Sequence, residues 1–561
     1  MIPPLPTELL ESDIEFSEVE EEEEEEPRSE ETSAVGKEPD WASVDAWTDG
    51  QSNKPIPDFT DSSGPCHSLG KNSDAIDYFQ LLFPNSLMEL ITYETNAYAK
   101  GYCFLGQGDP DWTPMTVNEL KGFFGLCIFM GLRHLPETQM YWSCQHYDGC
   151  AIFMRTMTFK RYQQIASHLR MGSWVTEREG SSSKGRLRLF RPMLNILEVN
   201  MWETYKPNRN LTIDRALLPR LETEGGKEKR LREAQPRIWL LCDSKSGYCH
   251  RLHIQTPCRR GREIVASVVP ALVEGIEGKH HQIYLSTSLA SIPVMQELLV
   301  QQIYTSASVL PQSPILPKAL WDQDHVETPG DFRQSTCGPV LVTRWKDAKE
   351  MFCMSTNCEP GQPDVVWRKS HSQPGELVSI QRPLAFKLLQ DNMRGVDICN
   401  QLLICNPLGG LALDTHWRCL FWLLVNLSII NSFIVLRESR KYNPPTWVQG
   451  GGRFSQAQYR KRLAYQLAKC ARRKAEQFHK YLRKPVNLCL KEERKGDSEG
   501  VRHYLCKVTP KTRRCRNCVL KNVRHETVFG CSVCRVNLCK GPVCFWEYHG
   551  FSTHLKGLEL F

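Results

Sequence analysis

Two hydrophobic spacings alternate along the chain, one helical and one strand-like. From Ile76 the period is helical: Asp77 to Phe83 reads as a short apolar helix ended by Pro84. Ser86 opens a second helix with Leu87, Leu90 and Ile91 on one face. Thr116 with Glu119 has the spacing of a capping box ahead of the apolar run Leu120 to Leu132. Thr158 to Leu169 carries Phe159, Tyr162, Ile165, Ala166 and Leu169 at helical spacing. Residues 73–210 are therefore expected to be an all-helical module, interrupted by an exposed polar loop from Ser173 to Arg188.

The pattern then shortens to strands. Ile238 to Cys242 and Tyr248 to Ile254 flank the polar turn Asp243-Ser244-Lys245-Ser246-Gly247, which predicts a hairpin. A helix around Ile264 to Leu272 and a third strand, Gln282 to Leu285, follow. With Asp214 just upstream, this order suggests a mixed-sheet nuclease core, which needs carboxylates on adjoining strand ends to hold two divalent metals. The third strand instead ends in Ser286-Thr287-Ser288.

Residues 294–389 turn proline-rich and irregular, with strand-like pieces such as Val340 to Val342 and Glu376 to Ile380, and read as a β-rich insertion. Gly395-Val396-Asp397 precedes an apolar helix at Trp417 to Leu436. Its core, Cys419 to Leu436, is at the short end for a membrane span and contains Asn426, Ser428, Asn431 and Ser432. It is expected to be a buried core helix, with no membrane partner. A break at Pro444, Pro445 and Gly450 to Gly452 leads into a strongly basic helix, Ser455 to Arg483.

Charge changes the picture. Residues 1–60 hold 19 acids and 3 bases, a net of −16, out of 64 acids and 70 bases in the 561-residue chain. The remainder therefore holds 45 acids and 67 bases, a net of +22. The unbroken run Glu20 to Glu26 repels itself, so residues 1–72 are expected to be an acidic disordered tail. A body this basic points to a polyanionic partner, nucleic acid above all. Arg460, Lys461, Arg472, Arg473 and Lys474 on the basic helix, with Arg513 and Arg514 beyond it, are the candidate phosphate contacts.

Cysteine usage adds metal chemistry. The start of the chain lacks the basic flank and apolar core of a secretory signal, so the 23 cysteines are expected to be thiols and metal ligands. Cys515-x2-Cys518 and Cys531-x2-Cys534 are followed by Cys539, Cys544 and His549, and preceded by His503. These eight residues make two four-ligand sites of the structural zinc type. Few aliphatic residues are available there for a core, so metal binding would supply the folding energy.

The order of these pieces resembles the piggyBac transposase family. Phe79 to Phe83 with Thr95 to Ala99 is similar to its opening helices, and Thr116 to Leu120, Met130-Gly131 and Tyr141-Trp142 to its next block. Thr212-Ile213-Asp214, Ile283 to Pro293 and Gly395-Val396-Asp397 resemble its three catalytic segments. His416-Trp417-Arg418 and Asn431-Ser432-Phe433 resemble the helix after them, and the likeness covers about residues 73–550. It implies an α/β chain with an RNase H-like mixed-sheet core, residues 211–293 and 390–440, split by the insertion 294–389. A helical dimerisation and DNA-binding module at 73–210, a basic helical region at 441–500 and a cross-braced cysteine-rich zinc domain at 501–561 would flank it.

Carried over by position, Asp214 and Asp397 keep two catalytic carboxylates, while the other two acidic positions fall on Ser286 and Asn400. A hydroxyl is a weak, neutral ligand for Mg²⁺, so Mg²⁺ is not expected in the core. Arg215 stands where relatives carry an acid and adds a cation beside the site; Asp322 or Asp391 are acids that could substitute. The expectation is a nuclear, homodimeric DNA-binding protein with two structural zinc ions and no transposase activity. The rivals are a residual metal-dependent transposase or nuclease, and a scaffold for chromatin proteins.

Overall fold

The computed structural model describes most of residues 56–472 and 505–548; outside the described residues lie 1–55, 172–182, 219–235, 317–325, 370–376, 473–504, 549–561 and shorter stretches. The chain divides into two units, 1–471 and 472–561, each taken by itself below. Residues 1–55 of the expected acidic tail lie outside the described residues. Its last part, expected to be disordered to residue 72, is instead held on the body, with Gly64 and Pro65 paired to Lys206 and Tyr205 and Cys66 N donating to Thr204 O at 2.7 Å.

The helical part follows its caps. Helix α1 (Ala75–Leu82) starts at Asp74, in a capping box with Asp77, and α2 spans Asn85–Phe104. Helix α3 (Val117–Leu132) carries the predicted Thr116–Glu119 capping box, and α4 spans Phe159–His168 with Thr158 as its cap. Helix α5 runs from Ser183 to Thr204, so the polar loop expected to reach Arg188 gives way to helix by Ser183. The run Lys184 to Arg188 looked like surface loop because its basic residues hid the helical spacing that begins there.

A central eight-stranded mixed sheet comes next. Its strands are β1 (Asn210–Arg215), β2 (Arg237–Asp243), β3 (Cys249–Gln255), β4 (Gln282–Leu285), β5 (Tyr304–Val309), β6 (Phe332–Cys337), β7 (Val340–Lys346) and β8 (Glu350–Ser355). The spatial order is β3-β2-β1-β4-β5-β8-β7-β6, with β1, β4 and β5 mutually parallel and the other pairings antiparallel. Four strands of the expected insertion, β5 to β8, thus belong to the central sheet. Within that insertion, the hairpin β9 (Pro363–Lys369) and β10 (Leu377–Pro383) forms a sheet of its own.

Both faces of the sheet are covered, which is why its strands read as near-continuous apolar runs. Leu211, Ile213, Trp239, Leu241, Ile283 and Leu285 bury one face under α6 (Gly261–Val273) and α7 (Ile292–Val300). On the other face, Tyr284, Leu341 and Trp345 pack on α8 (Leu384–Asn392), and Ile238, Leu240 and Cys242 join the helical core. That core also takes in α9 (Gly395–Cys405), α10 (His416–Ser439) and α11 (Gln456–Cys470).

Helix α10 is long and apolar enough to cross a membrane, yet it is entirely buried inside the protein. Its polar residues are clips. Asn431 accepts from Cys249 N at 3.0 Å and donates to Cys249 O at 2.8 Å, fixing β3; Ser432 takes the Tyr459 hydroxyl of α11 at 2.7 Å.

Helix α11 is the described part of the expected basic helix, and it is a core helix. Gln456, Arg460, Leu463 and Leu467 fall on one face at helical spacing and are buried. Gly125 of α3 lets the backbones meet, since a Cβ there would lie 2.7 Å from Ala464 O. Arg460, expected to contact phosphate, is 1% exposed and donates to Asn426 Oδ1, while its Nε and Nη1 have no partner. Burial pulls its pKa down to about 9. Arg462 is also engaged, binding Asp74 at the start of α1 through Nε at 3.0 Å. The tight run Arg460-Lys461-Arg462 concealed that its first member falls in the apolar stripe.

Helix α9 is set directly on β1 and β2. Thr212 Oγ1 donates to Asn392 O at 2.9 Å and accepts from Gly395 N at 3.3 Å. A Cβ on Gly395 would lie 2.7 Å from Asp243 O and 2.8 Å from Thr212 Oγ1. Gly395→Ala should therefore cost about 1–3 kcal/mol, the usual penalty for overpacking. The measurement is the urea midpoint at constant m-value; Gly70→Ala, with nothing within 4 Å of its Cβ, should stay within about 0.5 kcal/mol.

Candidate functional site

Asp214 and Asp397 are brought to one place by β1 and α9. Thr212 and Asp214 share the face of β1 that α9 covers, and Asp397 lies in the first turn of that helix. Asp214 Oδ1 accepts from Arg215 N at 2.7 Å. Burial raises the Asp214 pKa, and the charge of Asp397 raises it further; the Arg215 N–H and the Ser286 hydroxyl oppose both. Desolvation also raises Asp397, with Arg394 as the opposing cation. Burial therefore disfavours the ionised form of both carboxylates.

The other two positions are neutral and engaged. Ser286 follows β4 beside Asp214, its N–H donating to Ile213 O at 3.1 Å and its hydroxyl 3.2 Å from Ser288 Oγ. Asn400 accepts from Leu217 N at 3.0 Å and donates to Arg215 O at 3.0 Å, so its amide stitches α9 to the chain leaving β1. Arg215 supplies the expected cation near Asp214, its charge lowering the Asp214 pKa, but its side chain takes the other face of the strand. Side chains alternate along a strand, and its guanidinium lies over the Trp239 ring at 5.5 Å, on the opposite face from Asp214.

Substitute acids are not at hand among the described residues. Asp391 adjoins Asn392, whose Oδ1 takes Asn210 Nδ2 at 2.8 Å at the start of β1. That end is about 13 Å along the strand from Asp214. Buried Asp243 lies opposite Leu211 at the same far end and is occupied by Asn208, Lys245 and Ser246. Asp322 lies outside the described residues. Sequence reasoning missed Thr212, whose side chain sets α9 on the sheet, and Asn392, whose side chain ties the end of α8 to Asn210 of β1; the polar residue two before Asp214, on the same strand face, was the available signal.

The second unit holds a thiol cluster. Cys515 and Cys518 flank the first turn of α12 (Arg516–Leu520), and their sulfurs with those of Cys539 and Cys544 lie within 4.8 Å of one another. Cys518 Sγ is 3.5 Å from Cys539 Sγ and 3.6 Å from Cys544 Sγ. Tetrahedral zinc–thiolate geometry, at about 2.3 Å per bond, puts sulfurs about 3.8 Å apart. The group can hold a metal ion, and its geometry is consistent with zinc. Desolvation pushes the Cys518 thiol up to about 11, with Cys544 and Cys515 adding to it, and a bound cation would reverse that cost. Cys539 N donates to Cys515 Sγ at 3.3 Å, as thiolates in such knuckles require.

Cys531 and Cys534 stand outside that group. Cys534 N donates to Cys531 Sγ at 3.3 Å, and Arg535, at φ 53°, closes the turn. His503 and His549, the remaining predicted ligands, lie outside the described residues. His525 Nδ1 is 3.6 Å from Cys518 Sγ, next to the four-thiol group.

Of the predicted phosphate contacts, Lys461, Arg472, Arg513 and Arg514 are exposed. Arg513 and Arg514 lie on a two-residue strand paired with Glu526 and Thr527, and Lys511 and Arg516 beside them are also exposed. Arg473 and Lys474 lie outside the described residues.

Comparison with known proteins agrees with this arrangement. The family model described as Transposase IS4 matches residues 74–433. The human PiggyBac transposable element-derived protein 5 is 20% identical over 453 residues, covering 75% of this chain and 80% of that protein. The piggyBac transposase in a cryo-EM synaptic complex with hairpin DNA superposes with a TM-score of 0.60 at 17% identity, over 85% of this chain and 98% of that one. The match spans the helical module, the strand that carries Asp214 and the helix that carries Asp397, and on it the chain belongs to the Transposase IS4 family, in its piggyBac, transposable-element-derived branch.

Proposed function

We propose that this chain is a nuclear, homodimeric DNA-binding protein that keeps the piggyBac scaffold, an RNase H-like core included, and does not cut DNA. The observation that carries this reading is that Ser286 and Asn400, where the family resemblance implies acids, are neutral. The Asn400 amide is spent on the backbone of Arg215 and Leu217, and Asp214 and Asp397 alone supply negative charge. Two divalent ions held close together need more anionic ligands than that to offset their repulsion.

DNA is the partner that the net charge of +22 beyond residue 60 favours, with the exposed arginines of the second unit as phosphate contacts. The cysteines take two zinc ions. Cys515, Cys518, Cys539 and Cys544 form one site; Cys531 and Cys534, with His503 and His549, form the other, in a cross-brace. Chromatin proteins are a second class of partner, reached through the acidic segment.

Three measurements test this reading. Purified protein with Mg²⁺ or Mn²⁺ should leave TTAA-flanked duplexes intact; cleavage that Asp214→Ala abolishes would make the chain an enzyme instead. Elemental analysis of the full chain should find about two zinc per protomer, one lost in Cys518→Ser and the other in Cys531→Ser. Neutralising Arg472, Arg513 and Arg514 together should flatten the salt dependence of DNA binding by about 2–3 units in log–log slope. Arg460→Met should leave that slope unchanged, because its guanidinium is buried.

A further inference from the structure

The hairpin β9–β10 carries an apolar face and an open edge that no other described part of the chain uses. Val365 is 53% exposed, Trp367 59% and Leu377 52%, and all three project from the same side of the hairpin. The opposite side is tied to the body. Asp364 binds Arg382 at 2.8 Å and Lys387 at 3.1 Å, Arg368 binds Asp347 at 2.9 Å, and Ile380 is buried.

The edge of β10 is covered: Trp345 Nε1 donates to Gln381 O at 2.8 Å, and Gly330 lies against Gln381. The edge of β9 is not. Pro363 pairs with Pro383, and since neither has an N–H, that pair is of the non-hydrogen-bonded kind. Pairs alternate, so Val365 opposite Gln381 and Trp367 opposite Ser379 are of the same kind. Their N–H and C=O groups therefore point away from β10, and the Val365 N–H meets the carboxylate of its neighbour Asp364. Among the described residues, no backbone hydrogen bond from outside the hairpin reaches either of them.

We propose that this edge pairs with β9 of a second copy of the chain, joining two hairpins into one four-stranded antiparallel sheet about a two-fold axis at Val366. The strand is self-complementary in that register. Val365 faces Trp367 of the second copy, an aliphatic–aromatic pair on each side of the axis, and on pairing the Val365 N–H exchanges the Asp364 carboxylate for the Trp367 carbonyl of the second copy. Asp364 faces Arg368 of the second copy, opposite in sign, and the reverse holds across the axis. A second copy is favoured over nucleic acid because stacked bases would cover Trp367 yet leave the open donors and acceptors of the edge unpaired. The inference deepens the homodimer part of the reading above and needs none of its DNA chemistry.

Sedimentation velocity on the full chain should show a reversible dimer. Val365→Lys with Trp367→Lys sets like charges opposite each other and should raise its dissociation constant at least about tenfold. Both side chains are exposed, so the variant should keep the wild-type circular dichroism. Val366→Cys places one thiol opposite its own copy at a Cα separation of about 4.5 Å, within disulfide range. Mild oxidation of that variant should then yield a covalent dimer, in which mass spectrometry finds two copies of the same peptide joined through position 366. A wild-type dimer unchanged by the double lysine variant, with no such cross-linked peptide, would overturn this interface and leave dimerisation to another surface. A strictly monomeric chain would overturn the homodimer as well. Loss of DNA affinity in the lysine variant without any change in mass would assign the patch to nucleic acid instead.

Discussion

One close contact organises the first unit: helix α9 resting on β1 and β2 at Gly395, whose lack of a side chain lets it approach Asp243 O and the Thr212 hydroxyl. The Thr212 hydroxyl holds the approach by bonding the chain on both sides of the turn that starts the helix. Because the approach leaves no room for a Cβ, it fixes where Asp397 emerges relative to Asp214. Everything downstream of α9 then has to fit. The loop after it packs on Gly131, where a Cβ would collide with Pro407 O, and α10 fills the space beside the sheet.

Polar residues in the middle of apolar helices carry much of this fit. Asn431 fastens α10 to β3 through both amide functions, and Tyr459 reaches Ser432 and Ala75 O from α11. Each bond joins elements far apart in sequence. Buried polar groups satisfied in this way specify one packing among the many that greasy helices could adopt. The same residues make the longest apolar helix a poor membrane span and a good core.

Most of the scaffold was legible in the sequence because its signals are local. The Thr116–Glu119 box, the strand Gln282–Leu285 and the hairpin around Asp243 declare themselves through spacing and turn chemistry. What stayed hidden depends on pairing at long range. Nothing local says that β8 joins β5, so a stretch that looked like a separate insertion proved to widen the sheet. Arg460 was misread for a related reason: its charge was visible, but the helix packed against its face was not. At the candidate site, the positions of Asp214, Asp397 and the four clustered cysteines could be read off. The side to which Arg215 points and the bonding of Asn400 needed the three-dimensional neighbours.

The bonding of Asn400 also limits what its position can accept. Its amide offers an acceptor to Leu217 N and a donor to Arg215 O, a combination that no carboxylate can provide. An aspartate there would set a negative oxygen against a carbonyl and forfeit one bond, at about 1–3 kcal/mol. The asparagine is thus part of the framework, and the fold itself resists an acid at this position, whatever chemistry runs beside it.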